Sequence, residues 1–366
     1  MIQPDARGVV AAAPKEPARM GRGVSWLARL AAVVAVAVMG TSFVRLPYDT
    51  VAPGDATSVG PLVKIDGYPS YAAKGEVLST TVSVRTEANP YQVLQGWIDP
   101  AVDVLERRQF RGDIPTTTFE QLNSEAMADS KTAAKVVALR RLGFDNLGVG
   151  AEIVAVDRGF PGAAGLKPGD VVIAVDDRAV NDSDSMVSAI KAKKAGDAVV
   201  IGIADGADPS TGSRRTVAAT LGAAPDGSGR LGVQLTTKVD FPFKISIDSG
   251  TVTGPSAGLA YGLELLDLLT PGELTGGALV AATGDLTIDG KVGSVGGVRQ
   301  KTLGVQRAGA TVFVVPKGNE TEARAAAGPG LTVYAVDNFD EAVRRLGSLR
   351  GSNAVALGPA AGPGVK

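Results

Sequence analysis

The chain has 366 residues, room for two or three domains of about 150 residues each, and its 37 basic against 38 acidic side chains leave a net charge of −1. That balance argues against nucleic acid as a partner. Cysteine and histidine are both absent, which excludes a Ser/His/Asp triad, a thiolate nucleophile, a Cys/His zinc site and a His-ligated haem, so a hydrolytic centre here needs Lys, Asp or Glu as its base.

Residues 1–25 carry Arg7, Lys15, Arg19 and Arg22 against Asp5 and Glu16 and read as a basic cytoplasmic N-terminus. Residues 26–44 follow as a predicted transmembrane helix: 19 residues, about 28 Å at ~1.5 Å per residue, close to the ~30 Å hydrocarbon core. Leu30 to Val44 carry no charge, and Arg29 sits at the basic end, where its long stem reaches the interface. The positive-inside bias then leaves the short N-terminus in the cytoplasm and everything after Arg45 outside. The same flank and run also fit a cleaved signal peptide, with Val38-Met39-Gly40 at the cleavage offsets.

Residues 45–143 read as a small N-terminal extracytoplasmic region. It opens with a Pro- and Gly-rich stalk over 47–61, continues with a β-branched strand over 78–85, and turns helical over 89–142 with Gly143 as the stop. No residue in it suggests chemistry.

Over 144–224 a strand at 153–156 leads through Gly159-Phe-Pro-Gly-Ala-Ala-Gly-Leu-Lys-Pro-Gly-Asp170 into a second strand at 171–175 and a tight turn at Asp176-Asp177. A helix over 184–194 and a hairpin near 205–213 follow. This order resembles a PDZ domain of the bacterial type. The resemblance implies that an extended peptide adds as a strand, its carboxylate held by a nest of backbone N–H groups at Leu147, Gly148, Val149 and Gly150; an ordinary loop is the other reading of these glycines.

Residues 225–350 carry the candidate chemistry. A strand at 243–248 runs into Gly254-Pro255-Ser256-Ala257-Gly258 and a helix over 259–269. A serine among such small residues exposes its hydroxyl, and the helix start supplies donors for an oxyanion; a plain N-cap is the alternative role. With no histidine, the strong base left is a lysine held neutral by burial. Lys301, 45 residues further on, falls in helical register with Val298, Val305 and Ala308, whereas Arg299, Gln300, Gln306 and Arg307 lie elsewhere on the wheel. A snorkelling lysine without function is the competing reading.

The stretch from 239 to about 315 resembles the proteolytic domain of Lon-type serine peptidases. There Gly-Pro-Ser-Ala-Gly holds the nucleophile and Gly-Gly-x-basic-Glu/Gln-Lys holds the base, as Gly254 to Gly258 and Gly296-Gly297-Val298-Arg299-Gln300-Lys301 do here. The resemblance implies a Ser256–Lys301 dyad, an oxyanion site at the Ser256 and Ala257 backbone, and Thr283 of Thr283-Gly284-Asp285 orienting the lysine. One departure is Thr253, where the family usually carries an acidic residue. The full layout is similar to the YlbL-type family of Gram-positive bacteria, membrane-anchored proteins that join a PDZ domain to a Lon-type proteolytic domain.

The expected fold class is therefore α+β multidomain, ending in a disordered tail over 351–366. The expected partners are unfolded or extended protein substrates and the membrane, with a homo-oligomer implied by resemblance alone. No cofactor, metal or nucleotide is expected. Gly284-Asp-Leu-Thr-Ile-Asp-Gly-Lys291 misses a P-loop by one residue between its glycines and has Val292 in place of Ser or Thr; Ser188-x-x-Lys191 stands without its partner motifs. A catalytically silent PDZ adaptor that keeps the peptidase fold is the alternative function.

Overall fold

The computed structural model describes residues 26, 29–33, 40, 43–108, 112, 114–144, 147–157, 159–160, 165–204, 214–224, 226–250 and 252–353. Among them no helix is long and apolar enough to cross a membrane. The predicted membrane segment 26–44 lies largely outside the described residues, as do the hairpin tip near 205–213 and the tail from 354 onward.

The chain divides into a smaller unit, residues 1–50 with 84–112, and a larger one, residues 51–83 with 113–366. It opens with β1 (Tyr48–Ser58), β2 (Val63–Asp66), β3 (Glu76–Arg85), helix α1 (Pro90–Ile98), β4 (Asp103–Glu106) and the long helix α2 (Thr116–Arg141). The single helical stretch expected over 89–142 is thus two helices. Pro100 disfavours helical backbone at Asp99 and ends the first, while Pro115, preset in φ, leads into the second.

Next come β5 (Gly148–Val156), β6 (Val171–Val175), β7 (Arg178–Ala179), α3 (Ser183–Lys191), β8 (Ala198–Ala204), β9 (Arg214–Thr220), β10 (Gly222–Ala223), β11 (Gly229–Arg230) and β12 (Val233–Val239). The sheet runs β12-β5-β6-β8-β9, with β7 paired to β6. It encloses its own core of Ile153, Val172, Met186, Ile201 and Ile203. Asp182 caps α3 by accepting from the Ser185 N–H at 2.7 Å.

The last stretch comprises β13 (Lys244–Ile247), a 3₁₀ turn (Pro255–Ala257), α4 (Gly258–Leu268), β14 (Leu279–Ala282), β15 (Asp285–Leu286), β16 (Val292–Gly293), α5 (Val298–Arg307), β17 (Val312–Pro316), α6 (Glu320–Ala326), β18 (Thr332–Val336) and α7 (Phe339–Gly347). β14 is parallel to both β3 and β17, and β17 to β18, giving the order β18-β17-β14-β3-β1. The short β15–β16 hairpin occupies the P-loop look-alike, which therefore lacks the strand-loop-helix context a phosphate cradle needs.

The boundaries expected at 143 and 225 do not divide the fold. β2 pairs antiparallel with β13, and β3 lies parallel to β14. Val136 and Leu139 of α2 share one core with Leu259, Leu263 and Leu266 of α4. Residues 51–83 and 113–142 are thus built into the same core as 240–350, and the β5–β12 sheet is an insertion between them. The reason is physical: α4 is apolar on nearly every side, so it needs covering beyond what its own neighbours in sequence provide, and α2 supplies it.

Candidate active site

Ser256 lies in the 3₁₀ turn ahead of α4, partly buried, at the head of an 11-residue helix, the end that carries unpaired N–H groups and the positive pole of the dipole. Helix α4 begins with Gly258 because a Cβ there would collide with Ser130 Oγ of α2. Ser130 Oγ donates to the Pro255 carbonyl at 2.8 Å, one residue before the serine, and the neighbouring Lys131 Nζ donates to Ser249 Oγ at 2.8 Å. Helix α2 therefore holds the segment leading into Ser256 at two points. No motif in the sequence marks Ser130 or Lys131; the one signal is an uncharged polar residue, Ser130, among the buried positions of α2.

Lys301 sits on α5, where Val298 and Val305 pack with Leu78, Ala281, Phe313 and Val315 of the sheet. The buried face is broader than the wheel suggests. Gln300, Thr302 and Gly304 are buried with Lys301, while Ala308 is exposed. Gly304 has a reason to be in a helix: a Cβ there would stand 2.7 Å from the Gly54 carbonyl of β1, which crosses the helix at contact. Both amide atoms of Gln300 are buried and unpartnered among the described residues.

The Lys301 ammonium is 2 % exposed and has no ion pair among the described residues. Burial pushes its pKa down from 10.5 to about 8, against a weaker upward pull from Glu322. Its Nζ donates to Thr283 Oγ1 at 3.2 Å, and Thr283 Oγ1 donates in turn to the Ser256 carbonyl at 3.1 Å. Thr283 directly follows β14, is fully buried, and is fixed by its N–H on the Val314 carbonyl at 3.0 Å. Gly284 N–H donates to the same Ser256 carbonyl at 2.8 Å, and Leu259 N–H to the Gly284 carbonyl at 3.2 Å. Three residues predicted from separate motifs, Ser256, Thr283 and Lys301, thus meet at the C-terminal end of β14. The Ser256 hydroxyl itself makes no direct hydrogen bond to Lys301 among the described contacts; Thr283 Oγ1 links Lys301 Nζ to the Ser256 main-chain carbonyl. Beside this centre, burial raises the carboxyl pKa of Asp285, opposed by its contact with the Ser130 hydroxyl. No cluster fit to hold a metal occurs among the described residues.

The predicted peptide nest, Leu147 to Gly150, falls at the start of β5, an interior strand of its sheet. Strand β5 is paired along one side by β12, with Gly148 opposite Val239 and Gly150 opposite Lys238, and on the other by β6. A Cβ on Gly150 would meet the Val172 carbonyl at 2.6 Å. The ladder with β6 itself pairs Ala151 with Val172 and Glu152 with Val171, just past these glycines. The sheet edge is β12, which runs beside α3 and is entered through Leu231-Gly232-Val233, the same tripeptide as Leu147-Gly148-Val149. Ser183 at the start of α3 bonds Thr237 Oγ1 of β12 through its N–H at 3.1 Å and its hydroxyl at 3.0 Å.

This combination of a serine at a helix head, a buried lysine and a separate sheet of PDZ topology defines the class. Residues 228–346 match the model of the Lon protease (S16) C-terminal proteolytic domain, and residues 125–211 match that of a PDZ domain. The chain therefore carries a PDZ domain and a Lon-type proteolytic domain. Among curated relatives it is similar to the Lon protease of Koribacter versatilis, 31 % identical over 35 % of this chain and 16 % of that one. It is likewise similar to Lon protease 1 of Bacillus subtilis, 32 % identical over 30 % of this chain and 15 % of that one. The chain thus spans only 15 to 16 % of the length of these relatives. Among solved structures, the PDZ domain of the SdrC-like protein from Listeria monocytogenes matches at 25 % identity with a TM-score of 0.21, covering 24 % of this chain and 86 % of that one. The strands that complete each domain lie outside the matched stretches: β9 and β12 for the PDZ sheet, and β1 and β3 for the proteolytic sheet.

Proposed function

We propose that this protein is a membrane-tethered, ATP-independent serine endopeptidase in which Ser256 is the nucleophile and Lys301 the general base. The observation that carries this reading is the buried lysine without an ion pair, its pKa brought down to about 8, one hydroxyl away from the serine-bearing turn. In its neutral form Lys301 takes the proton from Ser256 Oγ as that oxygen attacks a peptide carbonyl. The backbone N–H groups at Ser256 and Ala257 receive the oxyanion, and the protonated lysine then passes its proton to the leaving amine. A water, deprotonated by the same amine, releases the acyl group. Thr283 is the positioning residue: by bonding both Lys301 Nζ and the Ser256 carbonyl it holds base and nucleophile turn in one register.

The β12 edge and α3 form the peptide groove, with the turn at Gly229 to Gly232 as the carboxylate nest. A chain delivered there is an extended one, which suits an enzyme that carries no motor to unfold its substrates. The tether is the uncharged run from Leu30 to Val44, with Arg29 at its cytoplasmic end and the catalytic domain outside. Assembly into a homo-oligomer belongs to the same reading and is measured by light scattering of the detergent-solubilised chain.

The test is cleavage of an unfolded protein by the full chain, by Ser256→Ala and by Lys301→Met. The expected result is turnover in the unmodified chain alone, since a general base contributes ~10² to 10⁴-fold. Equal turnover in all three overturns the enzyme reading and leaves the PDZ adaptor.

A further inference from the structure

Helix α1 presents an apolar face that nothing in its own unit covers. Val93 and Gly96 turn inward, while Tyr91, Leu94, Trp97 and Ile98 stand 49, 52, 70 and 74 % exposed. At ~100° per residue these four fall within one arc of about 120° on the outer side of the helix, shared only with Pro90. The sequence Pro90-Tyr-Gln-Val-Leu-Gln-Gly-Trp-Ile98 contains no charge at all. A lone exposed leucine needs no explanation, but two aromatics and two large aliphatics side by side on an uncharged helix mark an interaction surface.

Where the chain enters this unit identifies the occupant. The uncharged run ends at Phe43 and Val44, both exposed, and Arg45 follows, also exposed. Leu46 N–H then donates to the Ala88 carbonyl at 3.0 Å, and Ala88 N–H to the Tyr48 carbonyl at 2.8 Å. Ala88 adjoins Asn89, which caps α1 reciprocally: Gln92 N–H donates to Asn89 Oδ1, and Asn89 N–H to Gln92 Oε1, both at 2.9 Å. The helix start is therefore fastened to the chain two residues past the end of the apolar run. It cannot stray far from wherever that run leaves the lipid. Tyrosine and tryptophan with aliphatic neighbours on an uncharged helix suit the boundary between headgroups and acyl chains.

We propose that α1 is an interfacial helix that lies on the outer leaflet beside the tether, with Tyr91, Leu94, Trp97 and Ile98 inserted among the lipids. The proposal rests on the membrane-tethered reading above, and it adds a second, lateral contact that holds the smaller unit against the bilayer.

The chain has two tryptophans, Trp26 and Trp97, so a full-length Trp26→Phe variant reports on Trp97 alone. It is reconstituted in phosphatidylcholine/phosphatidylglycerol vesicles carrying lipids brominated near the headgroup or near the chain end. The expected result is that Trp97 emission shifts to the blue, resists iodide, and is quenched about twofold more by the shallow bromines than by the deep ones. Ile98→Asp in the same background should weaken that quenching while the protein still sediments with the vesicles after alkaline extraction, because the tether is intact. Sedimentation with Trp97 open to iodide and unquenched by lipid overturns the interfacial helix and leaves the tether. Trp97 shielded from iodide yet unquenched by either lipid overturns it in favour of a protein partner such as a second copy. Failure to sediment at all overturns tether and helix together.

Discussion

Lys301 Nζ donates to Thr283 Oγ1 at 3.2 Å in a buried site where, among the described residues, no carboxylate pairs with it. That environment, more than the hydrogen bond, makes the amine a usable base. Desolvation penalises the ammonium, and the nearest opposing influence, Glu322, only partly restores it.

The first consequence is a pH profile. With its pKa lowered from 10.5 to about 8, the amine is mostly protonated at neutral pH and gains the neutral form as pH rises. Below about 8, kcat/KM should therefore fall roughly tenfold per pH unit, and it should level off above that value. Peptidase assays from pH 6 to 9.5 check this (the range is about 2 units below to 1.5 above the expected inflection). A profile that is flat through this range, or that falls as pH rises, removes Lys301 as the base.

Ser130 gives a second expectation, because it grips the Pro255 carbonyl at 2.8 Å from outside the proteolytic motifs. Ser130→Ala removes the grip without adding bulk near Gly258. It should lower kcat about tenfold with KM little changed, while costing only about 1 kcal/mol of stability, the usual worth of one hydrogen bond. A loss of stability large enough to account for the whole drop in activity, read by thermal unfolding at the assay temperature, would mean that Ser130 serves the fold and not the turn.

How much of this was legible beforehand depended on what kind of signal each residue left. Ser256 and Lys301 stand out in the sequence by their local context, a serine among small residues and a lysine on an apolar helical stripe, whereas Thr283 comes to notice only through the resemblance to Lon-type motifs. The partners of α4 are another matter: β2, β3 and α2 reach the proteolytic core across the inserted PDZ sheet, and pairing over more than a hundred residues leaves no periodic trace near the motif. The nest has two candidate positions for a related reason. Leu147-Gly148-Val149 and Leu231-Gly232-Val233 are the same tripeptide, and only the sheet order, with β12 at an edge and β5 inside, tells them apart. On α5, a helical wheel assumes one solvent side; it put Gln300 there, whereas β1 crossing at Gly304 and the packing around Val298 bury it.

The reassigned groove makes a third prediction. A peptide that ends in an apolar residue and a free carboxylate should shift the backbone amide resonances of β12 and of α3 when titrated into isotope-labelled protein. The largest shifts are expected from Leu231 to Thr237, with the Ser183–Thr237 contact loosening as the strand adds. Shifts confined to residues 147–150 with β12 unmoved would return the nest to its first position.

The fourth prediction concerns two acids that catalysis does not use. Glu264 and Asp267 are buried on α4, and desolvation is the main reason their pKa values rise to about 7 and about 6. Asp267, Glu76 and Glu273 add to the rise at Glu264, and Glu273 to the rise at Asp267; the Leu274 N–H, donating to Asp267 Oδ1 at 2.9 Å, offsets part of the rise there. Both groups hold a proton more tightly in the folded chain than in the unfolded one, so stability is greatest below the ordinary carboxylate range and is lost as pH rises through about 6 to 7. Glu264→Gln removes one of these charges at a site that is nearly dry. It should leave stability at pH 5 almost unchanged and raise it by ~1 to 3 kcal/mol at pH 8, as read from urea midpoints at the two pH values. Equal effects at both pH values would show that the substitution acts through packing and that the Glu264 proton does not govern the stability of the nucleophile helix.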